Sequence, residues 1–214
     1  MKKTFLLFIL ALCSIALFAQ NVDWLWVKQA GGTSVDIGNS IAVDANGNSY
    51  ITGNFEGSAT FGTTTLISSG SDDIFFAKMD INGNWLWAKQ AGGISYDYGR
   101  GIAVDDNGNS YITGEFEESA IFGTTTLTSS GDYDIFVAKI DHNGNWLWAK
   151  QAWGIGEDVG FSIAVDANGN SYITGVFIES ANFGTTTLTS SGDYDIFVAK
   201  LDINGNWLWA KQAG

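Results

Sequence analysis

Residues 85–91 read Trp-Leu-Trp-Ala-Lys-Gln-Ala, and this segment sets the organisation of the whole chain. The Trp-Leu-Trp triplet recurs every 61 residues, at 24–26, 85–87, 146–148 and 207–209. A fixed period in this range is typical of a solenoid, a propeller or another array of repeats. The chain therefore divides into repeats at 24–84, 85–145 and 146–206, followed by a partial repeat at 207–214.

Each repeat predicts four β-strands, named A to D, that are joined by turns. Strand A contains Ile-Ala-Val-Asp, strand B Ser-Tyr-Ile-Thr-Gly, strand C Asp-Ile-Phe-x-Ala-Lys, and strand D begins with Trp-Leu-Trp. The pattern Asp-x-Asn-Gly-Asn joins A to B at residues 44–48 and C to D at residues 80–84. Because Asn-Gly tolerates the positive φ angles of tight turns, both connections are predicted hairpins. The longer B–C segment has room for one more short hairpin.

Strands C and D are apolar on both faces, which indicates sheets that are buried on both sides. In strand C of the second copy, Phe136 alternates with Ile135 and Val137, and in strand D simple alternation places Trp85 and Trp87 on the same face. Blades of a β-propeller pack face to face in this way. Abundant glycine (27 residues) and 14% aromatic residues also favour β structure with many turns. We therefore predict an all-β fold of three four-stranded β-propeller blades with tryptophans packed between them.

One motif links the repeats to a known family. Residues 97–114 follow the pattern Asp-x-Gly-x-x-Ile-Ala-Val-Asp-x-x-Gly-Asn-x-Tyr-Ile-Thr-Gly, which recurs at 36–53 and 158–175. This pattern resembles the β-propeller repeat called SBBP, and similar arrays are typical of secreted proteins of Bacteroidetes. The resemblance implies a propeller fold and an extracellular setting, but no particular activity.

The N-terminus has the pattern of a secretory signal peptide at residues 1–19. Lys2 and Lys3 precede an apolar run at 4–18, and Ala19 is a small residue at a plausible cleavage point. The repeat array then occupies residues 20–214, and we expect the mature chain to be secreted or displayed on the cell surface. The one cysteine, Cys13, lies inside the apolar run, so no disulfide framework is expected.

The net charge of the chain indicates which classes of partner it can bind. The formal net charge is −13, which repels nucleic acid and anionic lipid and favours cationic partners. No other stretch of the sequence is apolar enough to span a membrane. We therefore expect no nucleic-acid partner and no membrane insertion.

Three blades are fewer than a closed propeller contains, since rings typically have about 4–8 blades. The segment 24–30 predicts a lone D strand, and the third repeat already has its own D strand at 207–213. The sequence therefore leaves three possibilities open: further blades in a longer array, closure by self-association, or an open array.

Differences among the three copies suggest where recognition takes place. Of the 61 positions, 19 differ, and most of them lie between strands D and A or at the end of strand B and in the B–C segment. In an up-down blade these loops share one end, and we predict that this end binds a glycan or an extracellular protein. Neutral drift of exposed loops is the alternative explanation. The candidate ligand-binding residues are Tyr96, Tyr98, Arg100, Glu115, Glu117, Trp153 and Phe161.

The sequence contains no recognisable catalytic set. The single histidine, His142, lies in a hairpin turn, so neither a Ser-His-Asp nor a multi-histidine metal set can be built. The Asp-x-Asn-Gly-Asn segments predict hairpins and not calcium loops. Asp36, Asp97 and Asp158 are copies of one another, which favours a turn or inter-blade role over a glycosidase pair.

We therefore expect no enzyme, no metal site and no cofactor. The function best supported by the sequence is a binding module. A passive structural array within a larger secreted protein is the second possibility, and a glycan-active enzyme is the least supported.

Overall fold

The computed structural model describes residues 24–214, and this part of the chain consists of fourteen β-strands without a helix. The predicted signal peptide lies outside the described residues. Blade 1 contains β1 (Asp36–Val43), β2 (Ser49–Phe61), β3 (Thr64–Met79) and β4 (Trp85–Ala91). Blade 2 contains β5 (Asp97–Val104), β6 (Ser110–Phe122), β7 (Thr125–Ile140) and β8 (Trp146–Gly154). Blade 3 contains β9 (Val159–Val165), β10 (Ser171–Phe177), β11 (Ser180–Phe183), β12 (Thr186–Thr189), β13 (Asp195–Leu201) and β14 (Trp207–Ala213).

All strand pairs are antiparallel and follow the predicted order from A to D. The first sheet has the order β1-β2-β3-β4, the second contains β5 to β8, and the third has the order β9-β10-β13-β14. Each blade thus joins strands A to C of one repeat to the strand D that opens the next repeat. The described residues form three β-propeller blades that do not close into a ring, which confirms the predicted fold class.

The Asp-x-Asn-Gly-Asn segments form the predicted hairpins. In the first A–B turn, Asp44 Oδ1 accepts hydrogen bonds from the backbone N–H groups of Asn46 and Asn48, both at 2.9 Å. Gly47 adopts a φ of 81°, which glycine tolerates without strain. The C–D turns repeat the same bonds around Asp80, Asp141 and Asp202.

The B–C segment forms the additional hairpin at the outside of each blade. In the first two blades β2/β3 and β6/β7 continue into it past a bulge, whereas in blade 3 it is a separate pair, β11 and β12. Each peripheral hairpin also contacts the end of the preceding D strand, through the bridges Gly31–Thr60 and Gly92–Ile121 and the pairing of Trp153 with Asn182. In blades 2 and 3 the hairpin therefore ties the blade to the one before it, and in blade 1 it contacts Gly31 of the N-terminal segment.

The two tryptophans of strand D point to opposite faces, so the predicted common orientation is wrong. In β4 a bulge at Leu86 places Trp85 opposite Met79 and Trp87 opposite Lys78. Met79 and Lys78 are consecutive residues of one strand and therefore face opposite sides of the sheet. The extra residue of the bulge reverses the alternation, and each blade presents one tryptophan to each neighbour.

The core lies between the blades. We call the side of a blade that packs on the preceding blade its leading face, and the side that packs on the following blade its trailing face. Four trailing residues of blade 1 share a core with leading residues of blade 2: Tyr50, Ile74, Phe76 and Ala91. The trailing face of blade 2 packs in the same way on blade 3, through Tyr111, Ile135, Val137 and Ala152. The prediction that strand C is buried on both sides is therefore confirmed for blades 1 and 2, whereas strand C of blade 3 is exposed on its trailing side.

The segment 24–30 is the exception to the predicted strands, because it forms no strand. At the other repeats strand D pairs with strand C of its own blade, and no such strand C precedes residue 24 among the described residues. Trp26 nevertheless keeps the contact of its counterparts, since its Nε1–H donates to the Ile81 carbonyl at 3.3 Å. Leu25 is 94% exposed, so the segment is held at few points.

Candidate functional site

The D–A loops and the B–C segments lie together at one end of the blades, which we call the loop end. In blade 1 the Glu56 N–H donates to the Val35 carbonyl at 3.0 Å, and in blade 2 the Glu117 N–H donates to the Tyr96 carbonyl at 3.1 Å. These bonds join the two most variable parts of each repeat into one surface.

A tyrosine cluster on blade 2 is the most distinctive feature of the loop end. The rings of Tyr96 and Tyr98 stack with an interplanar angle of 17° and centroids 6.3 Å apart. Tyr98 also lies 6.3 Å from the ring of Tyr133, and the guanidinium carbon of Arg100 lies 4.9 Å from the centroid of Tyr98. Tyr96 is 44% exposed, so the outer ring of the stack faces solvent. The structure thus brings together three of the predicted site residues.

Glu115, another predicted site residue, is not displayed at the surface. Its side chain is buried, and its Oε1 accepts a hydrogen bond from Arg100 Nε at 2.8 Å. Burial raises the pKa of Glu115, although the bond from Arg100 opposes this rise. The carboxylate is therefore occupied within the blade, and it positions Arg100 against Tyr98 instead of facing a ligand.

The positions of Arg100 and Glu115 change together among the copies. In blade 1 the equivalent residues are Asn39 and Asn54, whose side chains form a hydrogen bond at 3.1 Å. In blade 3 the equivalents are Phe161 and Val176. An amide pair, an ion pair and an apolar pair thus occupy the same place, so part of the variation among repeats reflects the fit between two strands.

The remaining predicted site residues lie near the cluster or on the neighbouring blade. Glu117 accepts a hydrogen bond from the Ser95 hydroxyl beside the tyrosines. Trp153 is half-buried at the end of β8, where its carbonyl accepts a hydrogen bond from Asn182 Nδ2 at 3.2 Å. Phe161 is half-exposed, and its carbonyl abuts Gly101 of blade 2. Within residues 24–214, no hydrogen bond or aromatic pair joins Trp153 or Phe161 to the tyrosine stack.

Two tyrosines belong to this surface that the sequence-based prediction omitted. Tyr133 packs on Tyr98, and the Tyr194 hydroxyl donates to Glu157 Oε2 at 2.6 Å. The bond to Glu157 raises the pKa of Tyr194 to about 12. Tyr133 and Tyr194 are equivalent residues, and the first copy has Asp72 there. That position is one of the 19 that differ among the copies, so the signal was available in the sequence.

The A–B and C–D turns lie at the opposite end of the blades. Hydrogen bonds within each turn fix the position of its aspartate carboxylate. In the first A–B turn, Asp44 Oδ2 accepts hydrogen bonds from Asn48 Nδ2 at 2.8 Å and the Tyr50 hydroxyl at 3.2 Å. At the last turn, the side-chain and backbone hydrogen bonds from Asn206 hold the pKa of Asp202 below its usual value. The carboxylates of these turns are engaged by donors of their own hairpins, as expected for structural turns.

Pairs of aspartates are buried where one blade meets the next. Asp73 of blade 1 and Asp97 of blade 2 border the same glycine, because a Cβ on Gly92 would lie 2.7 Å from Asp73 Oδ1 and 2.9 Å from Asp97 Oδ2. Asp97 Oδ2 accepts a hydrogen bond from the Gly93 N–H at 2.7 Å. Burial raises the pKa of Asp97 to about 8, and the charge of Asp73 adds to the rise.

The second junction repeats this arrangement with Asp134 and Asp158. Burial raises the pKa of Asp158 to about 8, again with a contribution from the neighbouring carboxylate, and burial raises the pKa of Asp134 to about 6. All four of these aspartates are buried and none of them lines an open cleft. Their geometry suits a structural role between blades better than that of an exposed acid–base pair.

No group of three or more histidine, cysteine, aspartate or glutamate side chains among residues 24–214 is arranged to hold a metal ion. The same residues form no helix that is long and apolar enough to cross a membrane. His142 lies in the predicted turn, and its carbonyl accepts the indole N–H of Trp87 at 3.2 Å.

Comparison with protein families confirms the repeat type. The family model of the β-propeller repeat SBBP matches residues 25–54 and 86–115. Both matches run from strand D through strand B, and they coincide with the motif that the sequence shows in its first two copies. The third copy carries the same motif at 158–175.

Among curated proteins, the chain is similar to an uncharacterised WD repeat-containing protein, L264, of Acanthamoeba polyphaga mimivirus. The two are 25% identical over an alignment of 233 positions that covers 89% of this chain and 16% of the relative. The chain thus spans about one sixth of that protein's length. Among solved structures, a protein of unknown function from Bacteroides caccae aligns with a TM-score of 0.31 at 10% identity, covering 82% of this chain and 81% of the other.

Proposed function

We propose that this β-propeller repeat protein is a non-catalytic binding module that acts outside the cell and recognises a basic segment of a partner protein. The observation that carries this proposal is the tyrosine cluster of Tyr96, Tyr98 and Tyr133, which is exposed at its outer ring and occurs at the loop end of blade 2. Tyrosine is enriched among residues that dominate binding energy at protein interfaces.

The surroundings of the cluster favour a cationic ligand. Arg100 already lies over Tyr98, so the chain itself contains the contact that a partner's arginine or lysine would make with Tyr96. Such cation–π contacts contribute about 0.5–2 kcal/mol. Glu117 lies beside the stack, and the chain carries 23 acidic against 10 basic residues. Long-range attraction therefore also favours basic partners.

Two further points support a binding role over catalysis. Most carboxylates that the copies share are buried between blades or accept hydrogen bonds from donors of their own hairpins, which leaves them little freedom to act as an acid or a base. The similarity to a WD repeat-containing protein is in keeping with a repeat scaffold that carries an interaction surface.

Export is supported by the sequence pattern of residues 1–19.

Exchange of residues between copies provides the test of binding. Tyr96→Val with Tyr98→Ile gives blade 2 the residues that blade 1 has at Val35 and Ile37, so the fold is expected to survive. The probes are immobilised peptides of graded lysine and arginine content, together with a glycan array. We expect wild-type protein to bind the basic peptides in a salt-sensitive manner, and the double variant to bind about ten-fold more weakly or worse.

The matched control is Asp106→Ala, which introduces the residue of copies 1 and 3 at the opposite end of the blade. Its binding should equal that of the wild type. Binding to glycans alone, or peptide binding that survives the tyrosine exchange, would contradict the proposal. Absence of binding to every probe would favour the passive structural array instead.

Export is tested separately, by expressing the full chain in a secreting bacterial host and measuring the mass of the protein that leaves the cytoplasm. We expect cleavage before Gln20. Retention of the uncleaved chain in the cytoplasm would overturn the extracellular assignment.

A further inference from the structure

The leading face of blade 1 and the trailing face of blade 3 lie at the two ends of the array. The same kinds of face pack against each other at the two internal junctions. Within the described residues, blade 3 presents an uncovered trailing face, whereas the leading face of blade 1 is covered only in part, by the segment that precedes β1. The internal junctions show twice how a trailing face fits a leading face, and they provide the template for a third contact.

At each internal junction a glycine of strand A receives an isoleucine and a threonine from the preceding blade. A Cβ on Gly99 would lie 2.3 Å from Thr52 Oγ1 and 3.0 Å from Ile74 Cγ2. At the next junction a Cβ on Gly160 would lie 2.3 Å from Thr113 Oγ1 and 3.2 Å from Ile135 Cγ2. Only glycine leaves room for this approach. Ile74 and Ile135 are both fully buried.

The equivalent groove on blade 1 is open. Gly38, the counterpart of Gly99 and Gly160, has only Ile51 Cγ2 near its Cβ position, at 4.0 Å. A cavity of about 240 Å³ extends from this glycine to Phe61, Phe75 and Trp85. At the internal junctions the corresponding groove takes up apolar side chains of the preceding blade, such as Phe76, which packs on Trp146 at 5.3 Å.

The matching side chains are exposed on blade 3. Ile196 is the counterpart of Ile74 and Ile135, yet it is 54% exposed, and Val198 is 42% exposed. Thr174 stands where Thr52 and Thr113 stand in the other blades. The trailing face of blade 3 therefore carries the isoleucine and threonine that fit the groove beside Gly38.

The segment 24–30 covers part of the groove at the position of a preceding D strand. Trp26 donates to the Ile81 carbonyl and packs on Gly83, as Trp87 does at His142 and Gly144. In an array that continued from blade 3, Trp209 would make this contact. The segments 24–30 and 207–213 differ only at Val27, where the second has Ala210. Either segment can therefore occupy the position beside the Ile81 carbonyl and Gly83.

We propose that two copies of this chain associate head to tail, with the trailing face of blade 3 of one copy docking on the leading face of blade 1 of the other. In this contact Ile196 and Thr174 approach Gly38, and Trp209 of the incoming copy replaces Trp26 at the Ile81 carbonyl. Displacing Trp26 costs little free energy because segment 24–30 pairs with no strand. Two copies joined at both ends contain six blades, within the range of about 4–8 that closes a ring.

Complementation between two variants tests the contact. Ile196→Asp places a charge on the trailing face, and Gly38→Val fills the groove of the leading face; both positions are open in the single chain, so both variants should fold. In sedimentation velocity we expect wild type to form dimers, or larger head-to-tail oligomers. Each variant alone should associate at least about ten-fold more weakly. Mixing them should restore a heterodimer, because each supplies the face that the other lacks.

The matched control is Ile67→Asp, at an exposed position of the peripheral hairpin where copies 2 and 3 have threonine. It should associate as wild type does. A monomeric wild-type chain at high concentration would overturn the proposal. So would a mixture that fails to form heterodimers while circular dichroism shows both variants folded. Dimers lost in Ile196→Asp but kept in Gly38→Val would indicate a symmetric contact and would also contradict it.

The displacement step has its own readout. Trp26→Ala removes the competing indole, and we expect association to tighten by about five-fold, the value of one lost hydrogen bond. Trp24→Ala is the control, because Trp24 is 88% exposed. Weaker association of the Trp26→Ala chain would show that the segment stays in place, and it would contradict the displacement.

Discussion

The same isoleucine occurs in three blades but in two environments, and this comparison separates the role of the neighbour from that of the sequence. Ile74 and Ile135 lie at internal junctions and are fully buried, whereas Ile196 lies on an end face and is 54% exposed. Each belongs to the same strand motif, Asp-Ile-Phe. A blade of this kind does not bury its own apolar surface, and the adjacent blade completes the core.

The largest effect is expected from shortening this side chain at the two kinds of site. Ile135→Ala leaves a cavity between blades 2 and 3 and should lower the free energy of unfolding by about 3 kcal/mol. Ile196→Ala, on the end face, should change it by less than about 0.5 kcal/mol. Urea unfolding of the dilute chain measures both, and equal losses would contradict the comparison.

A slightly smaller effect is expected from adding one methyl group to the strand A glycines. Gly160→Ala forces the new Cβ against Thr113 Oγ1, which is fixed by its own hydrogen bond to the Phe136 carbonyl at 2.9 Å. We expect a loss of about 2 kcal/mol.

The matched variant is Gly38→Ala, which faces open space and should be neutral or slightly stabilising. Thermal unfolding of the two variants checks the difference. A destabilised Gly38→Ala chain would show that the backbone conformation, and not the neighbouring blade, requires glycine at these positions.

Much of this architecture follows from the sequence, and the errors have physical causes. The 61-residue spacing and the Asn-Gly turns predicted the blades and their hairpins, because period and turn chemistry are local properties. The orientation of Trp87 was predicted wrongly, since a bulge at Leu86 adds one residue without leaving a signature in the alternation. Segment 24–30 has the sequence of a strand, but the described residues provide no strand C for it to pair with, so the prediction from strand propensity was wrong.

The candidate site was predicted less completely than the fold. The variable loops lie together at one end of the blades, as predicted, and Tyr96, Tyr98 and Arg100 contact one another there, while ligand binding at this end stays a prediction. Glu115 proved to be buried beside Arg100, and Tyr133 was omitted although it completes the cluster. Both cases depend on contacts between neighbouring strands, and a single sequence does not reveal which variable positions touch.

The buried aspartate pairs at the internal junctions make the stability of the chain depend on pH, whereas the end faces have no such pair among the described residues. Burial raises the pKa values of Asp73 to about 6 and of Asp97 to about 8, so the native state keeps protons that the unfolded chain releases near pH 4. This stabilisation is complete below about pH 4 and is lost as the pH rises through about 6 to 8. We expect the free energy of unfolding to fall by about 2 kcal/mol between about pH 5 and pH 9.

Asp97→Asn removes one ionisation while its side-chain oxygen still accepts the Gly93 N–H. The variant should therefore show a flatter pH profile and exceed wild type in stability at alkaline pH. Asp195→Asn on the end face is the control, since no following blade supplies a second aspartate there among the described residues. A pH profile that Asp97→Asn leaves unchanged would exclude the pair as its origin.

The smallest effect concerns the indole contacts. Trp148 donates to the Ile203 carbonyl of the next blade at 3.1 Å, and Trp148→Phe should lower the free energy of unfolding by about 1 kcal/mol. Trp209→Phe, whose indole faces no following blade among the described residues, should change it little. Chemical denaturation distinguishes the two, and equal effects would mean that the indole contributes through packing within its own sheet.

Hydrogen exchange of the backbone amides tests the central claim most directly, namely that burial and stability come from neighbouring blades. The measurement uses the Ile196→Asp chain at low concentration, so that the end faces stay open. We predict the slowest exchange in β6 and β7 of blade 2, which is covered on both faces, and faster exchange in the equivalent strands β2 and β3 of blade 1 and β10 and β13 of blade 3. Equal protection of all three blades, or slowest exchange in an end blade, would contradict the account.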